Sequence, residues 1–137
     1  MISSTISRFL VICLIGCVLL PFSGLGDSGW RTDYEAARLA AIEREVPLVV
    51  FFTGSDWCVW CSKLEAELFS SSEFREAMGT RLIGLKVDFP RRKRLPVELA
   101  RQNRLLKERF EVEAYPTVIW LNPVNGRILR RHGYVTD

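Results

Sequence analysis

The chain has 137 residues, and its 19 Lys or Arg against 16 Asp or Glu give a formal net charge of +3. This length suits one small domain with a single hydrophobic core, and the near balance of charge gives no reason to expect nucleic acid as a partner. The charge is unevenly distributed. Residues 27–88 hold 11 acidic and 7 basic side chains, whereas residues 89–137 hold 5 acidic and 11 basic, which predicts a basic surface in the second half.

The N-terminal residues 1–26 are typical of an export signal. Arg8 precedes an apolar run from Phe9 to Leu20, and Gly24 and Gly26 are small enough for cleavage directly after Gly26. The run is shorter than the about 20 residues that a membrane-spanning helix needs. An uncleaved anchor is therefore the weaker alternative.

Lipidation is a further alternative for this segment. Leu14-Ile15-Gly16-Cys17 resembles a bacterial lipobox, which would leave Cys17 as an acylated N-terminus. The apolar run nevertheless continues after Cys17, where a tether would normally become polar. Each alternative places the predicted domain, residues 27–137, outside the cytoplasm, in the periplasm or an equivalent compartment.

Helix and strand signals alternate along the domain. Thr32 and Glu35 form a predicted capping box for a helix over residues 33–45. Leu48 to Thr53 is a continuous β-branched and aromatic run, which is typical of a strand buried on both faces. A Gly-Ser-Asp turn follows, and a second helix is predicted to begin near Cys58.

The second half continues the alternation. The predicted elements are a short helix from Ser71 or Ser72 to Met78, a strand over 82–87, a helix from Pro96, and strands over 117–121 and 127–135. Asn125-Gly126 predicts the turn between the last two strands. This order predicts an α/β domain whose mixed sheet has helices on both faces.

Cys58 and Cys61 form a C-x-x-C pair that follows the first long strand and opens a helix, a context that favours a redox site. Of the four cysteines, Cys13 and Cys17 belong to the predicted signal, so the domain keeps this pair alone. A purely structural disulfide is the alternative, but so short a loop constrains the unfolded chain little.

Metal and haem sites are poorly supported, and no cofactor is expected. Zinc needs about four ligands, whereas beyond the cysteine pair the domain offers one histidine, His132. A histidine on the last strand is more often a surface residue than a metal ligand. Covalent haem attachment requires histidine after the second cysteine, and Ser62 stands there.

The sequence from about Trp30 to Val135 resembles the thioredoxin superfamily. Three features occur in the order found there: Trp57-Cys58-Val59-Trp60-Cys61 after a strand, Tyr115-Pro116-Thr117 further on, and the Asn-Gly hairpin. The Phe52 to Cys58 segment looks most like bacterial extracytoplasmic proteins of the Dsb type, which include DsbH and the C-terminal domain of DsbD. The resemblance implies a thioredoxin fold and dithiol–disulfide exchange with other proteins.

The position of the two cysteines predicts their roles. Unpaired N–H groups and the helix dipole at a helix start favour the Cys58 thiolate, so the pKa of Cys58 is expected to lie below about 8.5. Cys58 is therefore the predicted nucleophile. Cys61 is nearly one turn further on and is the predicted buried, resolving thiol.

Four residues are candidates for substrate binding. The resemblance implies a cis bond between Tyr115 and Pro116, which would hold Tyr115 against the Cys58 sulfur with its backbone free to pair with a peptide. Trp57 and Trp60 flank the cysteines. We expect Trp57 to be packed and Trp60 to be exposed as an apolar rim for docking.

The sequence departs from thioredoxin at two places. Phe52 occupies the position of a buried aspartate that accepts the proton of the second cysteine, so Asp56 is a weak candidate for proton transfer. The sequence also stops two residues after Val135, where thioredoxins continue into a helix. The predicted fold therefore lacks the C-terminal helix, and the oligomeric state is left open.

The predicted function is that of an extracytoplasmic thiol–disulfide oxidoreductase. Val59-Trp60 places no cation between the cysteines to stabilise the thiolate further, which favours a reductant. Exported proteins are the expected substrates, and a membrane electron donor would reduce the enzyme again. A non-catalytic binding module with a structural disulfide is the alternative. The Arg91 to Arg94 run is expected to be a solvated loop, with anionic lipid or an acidic partner as the alternative.

Overall fold

The computed structural model of this protein describes residues 29–134. The predicted signal segment, with Cys13 and Cys17, lies outside the described residues, as does Val135. The strands are β1 Trp30–Arg31, β2 Leu48–Thr53, β3 Ile83–Asp88, β4 Thr117–Leu121 and β5 Ile128–His132. The helices are α1 Tyr34–Glu43, α2 Val59–Leu64, α3 Ser72–Ala77 and α4 Val97–Arg109, and a π-helical segment, Glu65–Phe69, continues α2.

The strands form one mixed sheet in the order β1-β3-β2-β4-β5. The central strand β2 runs parallel to β3 and antiparallel to β4. Thr53 at its end is therefore level with Asp88 on one side, and Phe52 with Thr117 on the other. As a result, the chain leaving β2 meets both the loop after β3 and the segment before β4.

Two hydrophobic layers cover the sheet, as the alternating pattern predicts. All six residues of β2 are buried, and they alternate between the layers. Val50 and Phe52 pack with residues of α1 and α4. Val49 and Phe51 pack with both cysteines and Phe69 on the opposite side. The α/β fold with helices on both faces is confirmed.

One local prediction is wrong, and one strand was not predicted. The first helix is capped by Asp33, not Thr32, because the Asp33 carboxylate accepts the Ala36 N–H over 2.7 Å. The sequence pattern also missed β1, which pairs Trp30 with Gly84 and Arg31 with Leu85 at the edge of the sheet. Two residues are too few to show a strand period, so only the pairing with β3 reveals this strand.

Candidate active site

Cys58 and Cys61 are joined by a disulfide at the start of α2. Cys58 is the N-cap residue, with an extended backbone, and the Cys61 N–H is 3.2 Å from the Cys58 sulfur. Cys58 retains 6% of its accessible surface and Cys61 1%. The helix start therefore directs the Cys61 N–H towards the more accessible sulfur, an arrangement that stabilises a thiolate.

A tight turn leads from β2 to the cysteines. The Gly54 carbonyl oxygen accepts the N–H groups of Trp57 and Cys58 over 3.2 and 2.9 Å. The Trp57 indole lies directly against Gly54, since a Cβ atom on Gly54 would be 2.3 Å from the ring. Glycine is thus required here by the close approach of Trp57 rather than by an unusual backbone conformation.

Trp57 joins this turn to neighbouring segments. Its indole N–H donates to the Phe89 carbonyl oxygen over 2.7 Å. The Arg91 guanidinium lies 3.8 Å from the centre of the Trp57 ring, and Tyr115 contacts the ring edge-on with centroids 5.8 Å apart. Trp57 is therefore fixed on several sides, next to Cys58 in the chain.

Asp56 holds the basic loop that follows β3. Its two carboxylate oxygens accept the backbone N–H groups of Arg91 and Arg92 over 2.9 and 2.8 Å. The hydrogen bond from Arg91 holds the pKa of Asp56 below its ordinary value. Because both oxygens are engaged, the geometry favours a positioning role for this carboxylate, and proton transfer by Asp56 stays a prediction.

A second carboxylate strengthens the same connection. Asp88, at the end of β3, accepts the backbone N–H and the hydroxyl of Ser55 over 2.9 and 2.6 Å. Lys93 approaches the same carboxylate at 3.4 Å. Two carboxylates therefore join the turn after β2 to the region after β3: Asp56 from the turn and Asp88 from the end of β3.

A groove is lined in part by Trp60, which stands between the two cysteines in the sequence. It has a volume of about 280 Å³ and is lined by Trp60, Ala114, Tyr115, Pro116, Gly133 and Tyr134. The Tyr115–Pro116 peptide bond is cis, as the resemblance implies. Trp60 is 47% exposed, whereas Trp57 is partly buried. Tyr115 packs against the apolar cluster that contains both cysteines.

Tyr134 is a residue of this groove that sequence analysis missed. Its ring lies against Trp60, with centroids 5.0 Å apart, and its hydroxyl donates to Glu67 over 2.9 Å. That hydrogen bond raises the pKa of Tyr134. Lys63 lies 5.1 Å from the Trp60 ring and 5.7 Å from the Tyr134 ring. The signal that the sequence offers for Tyr134 is an aromatic side chain near the end of the predicted last strand, residues 127–135.

The position of the thioredoxin aspartate is apolar in structure as well as in sequence. Phe52 packs edge-on against Phe110, in the layer away from the cysteines. One helical turn beyond Cys61, Glu65 instead forms an ion pair with Lys86 of β3. Sequence analysis did not predict this pair, which links the continuation of α2 to the sheet.

The described part of the chain shows neither a metal site nor a spanning helix. Within residues 29–134, no three His, Cys, Asp or Glu side chains are grouped so that they could hold a metal ion. None of the helices in that range is both long and apolar enough to cross a membrane.

Comparison with known proteins gives consistent matches. Residues 29–123 match the family model described as thioredoxin-like. The chain is 38% identical over 105 residues to the disulfide bond reductase DsbH of Chlamydia pneumoniae, covering 77% of this chain and 62% of the relative. This chain thus spans less than two thirds of the length of that curated relative.

Solved structures agree with this assignment. A DsbH oxidoreductase structure matches with a TM-score of 0.71 and 32% identity, covering 82% of this chain and 76% of the other. A thioredoxin from Thermus thermophilus matches in fold with a TM-score of 0.61 and 19% identity, covering 79% of this chain and 77% of the other. The protein is therefore a member of the thioredoxin-like family, similar to DsbH within it.

Proposed function

We propose that this protein is a thiol–disulfide oxidoreductase that reduces disulfides in exported proteins. The observation that carries this proposal is the disulfide at the start of α2, in which the N-cap residue Cys58 is the more accessible sulfur and receives the Cys61 N–H. The DsbH of Chlamydia pneumoniae, with 38% identity, is named a disulfide bond reductase.

The reaction begins from the reduced pair. The Cys58 thiolate attacks one sulfur of a substrate disulfide, so that a mixed disulfide forms and the other substrate sulfur leaves as a thiolate that takes up a proton. Cys61 then loses its proton and attacks Cys58, and the second substrate sulfur leaves. The substrate gains two electrons and two protons, and the protein ends with the Cys58–Cys61 disulfide.

The groove beside the cis proline is suited to hold the substrate backbone. Neither the N–H nor the carbonyl oxygen of Tyr115 takes part in a backbone hydrogen bond within the described residues. An extended peptide can therefore pair with this segment as an added strand. Trp60 and Tyr134 supply an aromatic wall on one side, and the packed Trp57 supports Tyr115.

Reduction is the proposed direction, and the compartment outside the cytoplasm is the proposed location. Val59 and Trp60 contribute no positive charge between the cysteines, so the reduced form gains less than it would in a strong oxidant. Export through the predicted signal, residues 1–26, followed by cleavage, fits the cysteine usage of the domain. A membrane electron donor would then return two electrons to the disulfide after each cycle.

Insulin reduction tests the activity. The reduced protein should precipitate insulin chains, and Cys58→Ser should abolish this. Cys61→Ser should instead accumulate mixed disulfides, which identify the substrates when captured from an extracytoplasmic extract. Equilibration with glutathione tests the direction, since a potential as oxidising as that of a dedicated disulfide donor would contradict a reductase.

A further inference from the structure

A second groove is lined in part by Phe89, whose carbonyl oxygen accepts the Trp57 indole N–H. We propose that it binds an acidic segment of the protein substrate and orients the disulfide towards Cys58. This inference rests on the proposed function, and it adds the class of substrate. We call this cleft, between the loop after β3 and the start of α4, the basic groove.

The basic groove is formed by one face of a helix and the loop that precedes it. Val97, Ala100 and Arg104 recur at helical spacing along α4 and face the Phe89–Leu95 loop across a volume of about 520 Å³. Phe89, Leu95, Val97 and Ala100 make its walls apolar. Val97 is 80% exposed, so a large apolar side chain is available at the surface for a partner.

The charged side chains of this groove are mostly cationic. Lys93, Arg94, Arg101 and Arg104 line it, together with one carboxylate, Asp88. Lys93 is paired with Asp88 and Arg101 with Glu98. In the part of the chain that the structure describes, Arg94 and Arg104 form no salt bridge, and both are exposed. Two positive charges thus remain available beside the apolar walls of the groove.

The groove is connected to the redox site by direct contacts. Phe89 lines the groove, accepts the Trp57 indole N–H through its carbonyl oxygen, and has its ring centroid 5.4 Å from that of Tyr115. Asp56 fixes the same loop through the N–H groups of Arg91 and Arg92. Phe89 therefore lies between a segment bound in the groove and Tyr115. The same residue contacts Trp57 in the turn before Cys58.

The chemistry of the groove selects its occupant. Two unpaired arginines at the rim of an apolar cleft complement a segment that carries carboxylates beside an apolar side chain. The groove itself offers two cations without an ion pair among the described residues, fewer than the about four to eight Lys or Arg with which polybasic segments bind anionic membranes. The connection to Trp57 also makes a substrate the natural ligand, because the bound molecule must bring a disulfide to Cys58.

The test compares two disulfide peptides that differ only in glutamate or glutamine at the flanking positions. Pre-reduced protein supplies the electrons in single-turnover reactions at low ionic strength. The wild type should reduce the glutamate peptide about two- to tenfold faster, as expected for two exposed charge pairs. R94Q combined with R104Q should remove this preference, so that the two peptides are reduced at equal rates.

A matched control removes the same charge elsewhere. R127Q combined with R130Q, on exposed residues of the β4–β5 hairpin outside the groove, should keep the preference. Equal rates for the two peptides with the wild type, or equal loss of preference in both double variants, would overturn the proposal. Vesicles containing phosphatidylglycerol that bind through Arg94 and Arg104, without any peptide preference, would also overturn it in favour of a membrane contact.

A binding measurement separates this inference from the proposed function. Bis(2-hydroxyethyl) disulfide is small and neutral, so its reduction does not depend on the basic groove. If the protein reduces neither this compound nor the two peptides, the proposed oxidoreductase activity is contradicted, and the groove is then tested by binding. Fluorescence anisotropy with a glutamate peptide whose cysteines are replaced by serine then reports docking without chemistry. Weaker binding by R94Q/R104Q than by the wild type supports the groove, and equal binding by the two proteins refutes it.

Discussion

The Trp57 indole N–H donates to the Phe89 carbonyl oxygen over 2.7 Å, joining residues that are 32 positions apart. This bond fixes the turn before Cys58 to the loop after β3. Trp57→Phe keeps an aromatic ring but leaves that carbonyl oxygen without its donor. We expect a loss of about 1 to 2 kcal/mol in the free energy of unfolding, measured by urea denaturation. Trp60→Phe, at an exposed position, is the control and should have little effect.

Gly54→Ala should disturb the same turn by overpacking. The added methyl group would be 2.3 Å from the Trp57 ring, so the indole or the turn must move. The expected cost is about 1 to 3 kcal/mol, together with slower insulin reduction. Gly133→Ala is the matched control for stability, since its methyl group would be 3.7 Å from the Pro116 carbonyl oxygen, an ordinary contact. Equal stability of the two variants would contradict the packing argument.

The contribution of Asp56 to stability should depend on pH. The hydrogen bond from the Arg91 N–H lowers the folded-state pKa, so the ionised carboxylate stabilises the fold above the unfolded pKa of about 3.9. That contribution is lost as the pH falls through the lower, folded-state pKa. Asp56→Asn should therefore melt below the wild type at neutral pH, and the two melting temperatures should converge in acid. A difference that does not change with pH would refute this.

The buried hydroxyl of Thr53 gives a prediction of opposite sign. This side chain is fully buried, and its oxygen has no hydrogen-bond partner within residues 29–134. Thr53→Val keeps the shape and removes the unpaired group, so the free energy of unfolding should rise by about 1 kcal/mol. Thr117→Val is the matched comparison, because the Thr117 hydroxyl donates to the Ala114 carbonyl oxygen over 2.7 Å. That variant should be less stable than the wild type.

The two cysteines should differ in reactivity once reduced. Cys58 is the more accessible sulfur, at 6% against 1% for Cys61, and it lies at the helix start. Iodoacetamide should therefore alkylate Cys58 faster by about tenfold or more, as followed by mass spectrometry of tryptic peptides. Comparable rates at both positions would argue against Cys58 as the nucleophile.

Much of the fold was predictable because its strongest signals are local. The Leu48 to Thr53 run indicates a central strand, and all six residues are buried there. The helix after Pro96 is likewise marked by its own spacing. The cap at Asp33 was mistaken for one at Thr32, because both residue types can cap and only the Ala36 N–H distinguishes them. The edge strand at Trp30 depends on its partner Gly84, which no local pattern reveals.

The candidate site divides in the same way. The sequence predicts Cys58 and Cys61 from their C-x-x-C spacing, and the resemblance to the thioredoxin superfamily implies the cis bond before Pro116, which the structure has. The contacts of Phe89 and Arg91 with Trp57 were not predicted, because they join distant segments through the parallel pairing of β2 with β3. Tyr134 was missed for the same reason, since its neighbour Trp60 lies on another element.

Tyr115 is, among the described residues, the one side chain that packs against both hydrophobic layers of the sheet. It also precedes Pro116, which lines the groove proposed to hold the substrate. A disturbance in the α1–α4 layer, far from either sulfur, can thus reach the docking segment through a single ring. Substitutions in α1 or α4 that shift this ring are therefore expected to change peptide affinity without altering any residue that lines the proposed groove.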